Sequence, residues 1–212
     1  GAIEDCKKLA EKLDAPVCSG YQHNDSFPGS HPLAVGPLGY NGSKAAMQLI
    51  SKADVVLALG TRLNPFSTLP GYGIDYWPKN ASIIQVDMNP DRIGLTKKVT
   101  VGICGDAKLV SKQLLEKLSS TAGNNGRDDR KNLIHKTKSA WLQTLSGLDH
   151  EDDDPGTVWN KEARERDKNR MSPRQAWRAI QNAMPDDVII SSDIGNNCAI
   201  GNAYPTFEKG RK

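Results

Sequence analysis

The sequence predicts an α/β protein with a doubly wound parallel sheet, and three observations carry that prediction. Val55–Leu59 is a continuous apolar run between Asp54 and Gly60, as is typical of a strand buried on both faces. Two more apolar runs, Ser82–Val86 and Val99–Ile103, also end beside glycine or an acid. Segments with helical spacing alternate with these runs, and alternation of strands with helices predicts a parallel sheet covered by helices on both sides.

Composition limits the kinds of partner. The 212 residues carry 28 Lys and Arg against 25 Asp and Glu, a net charge of +3, so no strong field favours nucleic acid or a membrane surface. Hydrophobic residues make up 37% of the chain, which is enough to build a core. No apolar run approaches the roughly 20 residues of a membrane span, and no signal peptide is recognised. Any anion that the protein binds is therefore expected to be held by local contacts.

Cysteine spacing argues against a metal site and against a disulfide framework. Cys6, Cys18, Cys104 and Cys198 lie far apart, with no Cys-x-x-Cys pair and no histidine at finger spacing. Free thiols in a reducing cytoplasm are the simpler expectation, so we predict a cytoplasmic protein without a metal ligand set in this chain.

The N-terminal elements are predicted from periodicity. Ile3 to Leu13 has the spacing of an amphipathic helix, and a short strand follows at Pro16–Ser19. A strand normally precedes such a helix in an α/β domain, so we expect the first strand of this domain to be missing. Residues 20–42 are rich in glycine and proline and predict an irregular, packed loop. Ser43 then caps a helix that runs to Ile50.

The carboxyl ends of the predicted strands supply the first candidate site. Gly60 permits a sharp turn after the central strand, and Arg62 follows where doubly wound folds bind ligands. Asp87 ends the next strand and can accept hydrogen bonds from ribose hydroxyls, while Gly105-Asp106 caps the helix after the third strand. The alternative is a plain turn with a solvated Arg62 and a turn that Asp87 begins.

The second half of the chain predicts a linker and the start of another domain. Residues 1–118 form the first domain, 119–171 a linker with helical segments, and 172–212 the beginning of a second α/β domain. Ser172 and Pro173 open a helix, and Val188–Ile190 is a further buried strand. The turn Asp193–Asn197 offers glycine, backbone N–H groups and amides that suit an anion, although it can equally be an Asx-rich helix cap.

These residues resemble a known family. The motifs are Phe27-Pro28 and His31-Pro32-Leu33, the runs ADVVLALGTRLN and IIQVDMNPDRIG, and Ile103–Asp106. Together they are similar to the central domain of the thiamine-diphosphate enzymes of the acetolactate synthase group. Two longer stretches, GYQHNDSFPGSHPLAVGPLGYNGSKAAM and ISSDIGNNCAIGNAYPTF, most resemble the branch of this group that cleaves sulfoacetaldehyde.

The resemblance implies an enzyme that uses thiamine diphosphate and Mg²⁺ and works as a homodimer or homotetramer. It implies that sulfoacetaldehyde and phosphate react to give acetyl phosphate and sulfite. The diphosphate contacts of the family fall on Asp193, Gly195, Asn196 and Asn197. The family's activating glutamate and its metal-binding motif have no match here, so catalytic residues are expected in segments outside this chain.

The resemblance also implies a nucleotide crevice in the central domain. FAD or ADP contacts of relatives match Gly39, Gly42, Gly60, Arg62, Asp87 and Asp106. Flavin-binding members have methionine and histidine where this chain has Tyr40 and Asn41, which argues against FAD. ADP or CoA is the expected occupant if the crevice is filled.

Three alternatives remain open. One is an acetolactate synthase-like carboligase or decarboxylase. Another is a nucleotide-binding module without catalysis, which would use Gly60, Arg62 and Asp87. The third is a sirtuin-like deacylase, but the chain has neither the Gly-Ala-Gly-x-Ser motif nor a cysteine quartet for zinc.

Overall fold

The computed structural model describes residues 1–119, 127–147, 171–185, 187–193 and 195–208. Within these ranges the chain forms parallel strands and α-helices that alternate over most of its first half. In chain order the elements are α1 (Ile3–Leu13), β1 (Val17–Ser19), β2 (Ala34–Pro37), α2 (Lys44–Ile50), β3 (Val55–Leu59), β4 (Ser82–Asp87), β5 (Val101–Cys104), α3 (Ala107–Ser119), α4 (Arg127–Gly147), α5 (Pro173–Ala183) and α6 (Asn196–Ala203).

The strands form two parallel sheets, which confirms the predicted α/β class. β1 pairs with β2, and a second sheet has the order β3-β4-β5. Leu57 lies opposite Ile84 in one ladder, and Val86 lies opposite Ile103 in the other. Helix α1 packs against α3, and α2 packs against α4. The parallel order brings the carboxyl ends of β3, β4 and β5 to one edge of the sheet.

The prediction that Val55–Leu59 is enclosed on both sides was wrong in one respect. Among the described residues β3 pairs with β4 alone, so it is an edge strand of its sheet, and Val55 is 52% exposed. The most buried strand is β4, where Val86 is fully buried. An apolar run indicates that a strand is buried, but it does not specify how many strands pair with it.

The larger core is built around the short helix α2. Ala45, Ala46 and Met47 are almost completely buried there, and residues from β2 and α4 pack around them. The helix begins as predicted, because Ser43 Oγ accepts a hydrogen bond from Ala46 N at 3.3 Å. A smaller cluster of Ala58, Leu63 and Ile83 lies under β3 and β4.

Residues 20–42 are more regular than the sequence predicted. They contain a 3₁₀ turn at Asn24–Ser26 and the strand β2. Tertiary pairing explains the difference, because β2 is held by β1 in a register that places Val17 opposite Ala34. Gly36, at φ +91°, sits opposite Cys18 just after a register irregularity. The composition of residues 20–42 does not indicate that β1 will pair with them.

The predicted strand at Val188–Ile190 is also wrong for the described chain. These residues are in no strand, and Ile189 is 84% exposed. An apolar run becomes a strand only when a neighbouring strand satisfies its backbone groups. No described strand pairs with these residues, and the Val188 N–H donates to Pro185 O at 3.2 Å in a local turn. The helix before it begins as predicted, with a capping box between Ser172 and Gln175. Most of the proposed linker, at 120–126 and 148–170, lies outside the described residues, and the domain boundaries stay predictions.

Candidate functional site

The carboxyl edge of the larger sheet brings together three of the predicted crevice positions. The Gly60 N–H donates to Val86 O at 2.8 Å, and the Gly105 N–H donates to Asp87 O at 3.0 Å. These bonds continue the ladders past the strand ends, so Gly60, Asp87 and Asp106 lie along one edge. The predicted convergence of the strand ends is therefore present in the structure.

The two acids at this edge already serve the local backbone. Asp87 is 7% exposed, and its Oδ1 accepts from Asn89 N at 2.9 Å. Asp106 is exposed and caps α3, because its Oδ1 accepts from Lys108 N at 2.9 Å and from Leu109 N at 3.1 Å. Each acid thus shapes a turn, as the simpler interpretation of the sequence predicted. A ligand role would come in addition to these bonds.

Arg62 is the one cation that the sequence placed at this edge. Its side chain is exposed, and within the described ranges its guanidinium makes no ion pair or hydrogen bond. Its backbone carbonyl accepts from Thr96 Oγ1 at 3.0 Å, which holds the loop in place. Gly60 has φ +61° and only Ala107 Cβ near the position of an added Cβ. The guanidinium is therefore available to an anion.

Gly39 and Gly42 are explained by packing within the protein. A Cβ on Gly39 would meet the carbonyl oxygen of Phe66, and φ is +85° there. A Cβ on Gly42 would lie 2.5 Å from Pro37 O. The Tyr40 N–H donates to Phe66 O at 3.0 Å, so this loop and the segment after β3 touch backbone to backbone. These two glycines have a structural reason to be present whether or not a nucleotide binds.

The second predicted site is the turn that leads into α6. The helix begins at Asn196 with Gly195 at the cap position, where φ is +124°. Because glycine has no side chain, no side chain caps this helix. The alternative prediction, an Asx residue as the helix cap, therefore does not apply at Gly195. Asp193, Asn196 and Asn197 are exposed, which leaves both amides accessible beside the first N–H groups of the helix.

Helix α6 is held by contacts that the sequence did not reveal. Asn202, at 0% exposure, bonds to the loop that contains Gln22 and to Tyr40 O. Tyr21 Oη lies 3.2 Å from Cys198 Sγ, and burial together with this contact raises the pKa of Tyr21 to about 12. An asparagine among apolar helix residues was the only available signal for this contact. The structure thereby joins the Gly39–Gly42 loop to the helix of the second site.

A cleft of about 390 Å³ lies where this helix meets the first domain. Gln22, Asn24 and Asp25 line one side, and residues 189–192 with Gly201, Pro205 and Phe207 line the other. Asn24 Oδ1 is buried without a hydrogen-bond partner, while Asn24 Nδ2 donates to Asn202 O and to Pro205 O, both at 2.8 Å. The crevice residues Gly60, Arg62, Asp87 and Asp106 do not line this cleft.

One histidine of the N-terminal half has a structural role. His31 Nε2 lies 3.1 Å from Glu11 Oε1, and His31 Nδ1 accepts from Leu33 N at 3.1 Å, so this side chain connects α1 to the loop before β2. Within the described part of the chain, no three or more His, Cys, Asp or Glu side chains gather as a metal site would require. Over the same ranges no helix has the length and apolar character needed to cross a bilayer.

Comparison with known proteins finds one family. Residues 1–114 match the model described as "Thiamine pyrophosphate enzyme, central domain". The whole chain is 75% identical to a "Probable sulfoacetaldehyde acetyltransferase" of Rhizobium meliloti (strain 1021) and covers 36% of that protein. It is 74% identical to a "Sulfoacetaldehyde acetyltransferase" of Roseovarius nubinhibens, again over the whole chain and 35% of that protein.

A more distant relative belongs to another branch. A "Probable acetolactate synthase large subunit" of Methanococcus aeolicus is 34% identical over 70% of this chain and 24% of its own length. The chain therefore spans about a third of the length of the curated relatives it matches.

Proposed function

The chain belongs to the thiamine pyrophosphate enzyme family, whose central domain it contains at residues 1–114, and from this premise we propose that it is part of a thiamine-diphosphate-dependent acetyltransferase acting on sulfoacetaldehyde. The observation that carries the proposal is the 75% identity, over all of this chain, to a protein named for that activity. The 34% identity to an acetolactate synthase subunit is much lower.

The proposed reaction converts sulfoacetaldehyde and phosphate into acetyl phosphate and sulfite. The carbon–sulfur bond breaks and sulfite leaves with the electron pair. The aldehyde carbon is oxidised to the acyl level while the neighbouring carbon is reduced to a methyl group, so no external oxidant is needed. A phosphate oxygen then takes the acetyl group. Thiamine diphosphate supplies the carbanion chemistry that makes such a cleavage feasible.

This chain's share of the cofactor site is the turn before α6. Asn196 and Asn197 present amide donors, and Gly195 leaves the first N–H groups of the helix uncovered by a side chain. A diphosphate fits this donor set, because hydrogen-bond donors and a helix N-terminus favour an anion. Asp193 precedes the turn and is the fourth proposed contact. Mg²⁺ would offset the charge of the phosphates, and its ligands are proposed to lie outside this chain.

The crevice at the carboxyl edge is proposed as a separate nucleotide site. Arg62 would contact phosphate, and Asp87 and Asp106 would accept from ribose or adenine. Gly39 and Gly42 would support it by fixing the loop. ADP or CoA is the proposed class of ligand, and FAD is disfavoured by Tyr40 and Asn41. Such a site would be structural or regulatory.

A second candidate function is an acetolactate synthase-like carboligation or decarboxylation, which the match to the Methanococcus aeolicus protein favours. A nucleotide-binding module without catalysis is the remaining alternative, supported by the exposed Arg62. The proposed enzyme is a homodimer or homotetramer in the cytoplasm with small-molecule substrates only.

Product analysis distinguishes these functions. The full-length protein that contains residues 1–212 is incubated with sulfoacetaldehyde, phosphate, thiamine diphosphate and Mg²⁺. We expect sulfite and acetyl phosphate in equal amounts, with neither formed when phosphate or thiamine diphosphate is omitted. Acetolactate from pyruvate without sulfite release would support the second candidate, and no product from either substrate would favour the binding module.

A further inference from the structure

Asn202 is a buried polar residue at the junction between helix α6 and the first domain. It lies in the helix that begins at the proposed diphosphate turn, and its side chain is fully buried. The Gln22 N–H donates to Asn202 Oδ1 at 2.6 Å, and Asn202 Nδ2 donates to Tyr40 O at 3.1 Å. Asn24 Nδ2 donates to the main-chain oxygen of Asn202 at 2.8 Å.

The orientation of this amide is determined by its partners. A backbone N–H can only donate and a backbone carbonyl can only accept, so Oδ1 must face Gln22 and Nδ2 must face Tyr40. Both ends of the side chain are therefore engaged by backbone of the first domain. A buried amide that loses one such partner costs about 1–3 kcal/mol, which makes the contact a strong positional restraint.

The restraint is transmitted along the helix. Asn202 is six residues from Asn196, which at about 1.5 Å per residue corresponds to roughly 9 Å along α6. Gly195 provides no side-chain cap, and Asn196 and Asn197 are exposed, so among the described residues the first domain contacts α6 only from its third residue onward.

Tyr21 and Gln22 contact Cys198 Sγ at 3.2 and 2.8 Å, and Asn202 is bonded at both ends of its side chain. The first domain thus fixes the direction of α6 at Cys198 and at Asn202.

We propose that Asn202 is a positioning residue for the diphosphate turn, which it orients by attaching α6 to the backbone of Gln22 and Tyr40. The inference rests on the proposed function, because it takes the turn at Asp193–Asn197 as the cofactor contact. Asn202 does not touch the cofactor in this proposal. It lets the first domain set the position of the cofactor through helix α6.

The test is cofactor affinity in the full-length enzyme. Asn202→Asp keeps the size of the side chain and an acceptor for Gln22, but an ionised carboxylate cannot donate to Tyr40 O. We expect the dissociation constant for thiamine diphosphate with Mg²⁺ to rise about tenfold, the equivalent of one lost buried bond. At saturating cofactor, kcat should stay within about twofold, because no reacting atom is touched.

The matched control is Asn182→Asp, the same change at an exposed position on α5, which should leave the affinity unchanged. An unchanged affinity in folded Asn202→Asp enzyme would overturn the proposal, as would a loss of kcat at saturating cofactor without a change in affinity. If Asn202→Asp does not fold, Asn202→Ser decides, because its single short hydroxyl cannot reach both Gln22 N and Tyr40 O. A rise of about threefold then supports the proposal, and no rise overturns it.

The proposed function fails separately from this inference. Wild-type full-length protein that binds no thiamine diphosphate would contradict the proposed function before any variant is compared. If the wild-type protein binds thiamine diphosphate and neither variant changes the affinity, only the role of Asn202 is contradicted.

Discussion

At the scale of single residues, Arg62 decides whether the carboxyl edge is a ligand site. It is exposed beside Gly60, and its guanidinium makes no ion pair or hydrogen bond within the described ranges. A phosphate group would give it a bidentate partner. We expect Arg62→Ala in the full-length protein to weaken ADP or CoA binding about tenfold in calorimetry, as the loss of a charge-assisted bond implies.

The control for this prediction is Arg130→Ala, which removes an exposed arginine on α4 that donates to Leu13 O. It should leave nucleotide affinity unchanged. Equal binding of ADP, CoA and FAD to wild-type and Arg62→Ala protein would remove Arg62 from the crevice.

The thiols differ in reactivity for a physical reason. Burial raises the pKa of Cys18 to about 11, whereas Cys104 is exposed. At pH 8 a disulfide reagent that attacks thiolates should label Cys104 quickly and Cys18 only slowly. The Cys104→Ser variant should lose the fast phase and Cys18→Ser should keep it. A fast phase that disappears with Cys18→Ser would contradict the assignment.

The raised pKa of Cys18 also makes the stability of the fold depend on pH. The folded-state pKa of Cys18 lies above the ordinary thiol value of 9.0, so the unfolded chain releases this proton first. The contribution of Cys18 to stability is complete below pH 9 and is lost as the pH rises towards about 11.

At the scale of elements, the loop between β2 and α2 is held by backbone contact. Gly39→Ala would place a Cβ against Phe66 O in a residue with φ +85°. We expect it to lower the free energy of unfolding by about 3–5 kcal/mol, since steric overlap adds to backbone strain. Gly73→Ala is the control, because φ is +69° but nothing lies within 4 Å. It should cost only about 1–2 kcal/mol for the left-handed conformation.

Urea denaturation of the two variants measures this difference. Equal losses for Gly39→Ala and Gly73→Ala would mean that the loop moves away from Phe66 at no cost, and the tight packing would then not be needed for the fold.

Elements with local signals were predictable. Helices α1, α2 and α5 follow from periodicity and from Ser43 and Ser172 at their caps, and the parallel strands follow from apolar runs that end beside glycine or acid. Three features depend on distant partners and were not predictable: β2 needs β1, β3 lies at an edge, and residues 188–190 find no strand to pair with. Propensity describes a segment, whereas pairing is decided by the whole sheet.

The residues of the candidate sites show the same contrast between local signals and distant partners. The glycines and acids at strand ends were recognised because fold topology brings such ends together, and Gly60, Asp87 and Asp106 do lie along one edge. Asn202 was missed because an asparagine among apolar helix residues is a weak signal until its partners, 160 to 180 residues earlier, are known.

At the scale of the whole molecule, the two halves of the chain are joined by specific contacts. The Gly29 N–H donates to Phe207 O at 2.8 Å, and Ser30 N donates to Glu208 Oε1 at 3.0 Å. Together with Asn202 these bonds fasten the C-terminal segment to the loop at 20–31. The chain thus holds the proposed diphosphate turn on its first domain, while it spans about a third of the relatives' length.

The central claim is that this chain supplies part of a thiamine diphosphate site and completes it only within the full-length enzyme. Titration with thiamine diphosphate and Mg²⁺ tests it directly. Full-length protein should bind saturably, and Asn196→Ala and Asn197→Ala should bind more weakly. Isolated 1–212, shown by circular dichroism to be folded, should not bind saturably at micromolar concentration. Tight, magnesium-dependent binding by the isolated chain would contradict the claim, as would unchanged affinity in both full-length variants.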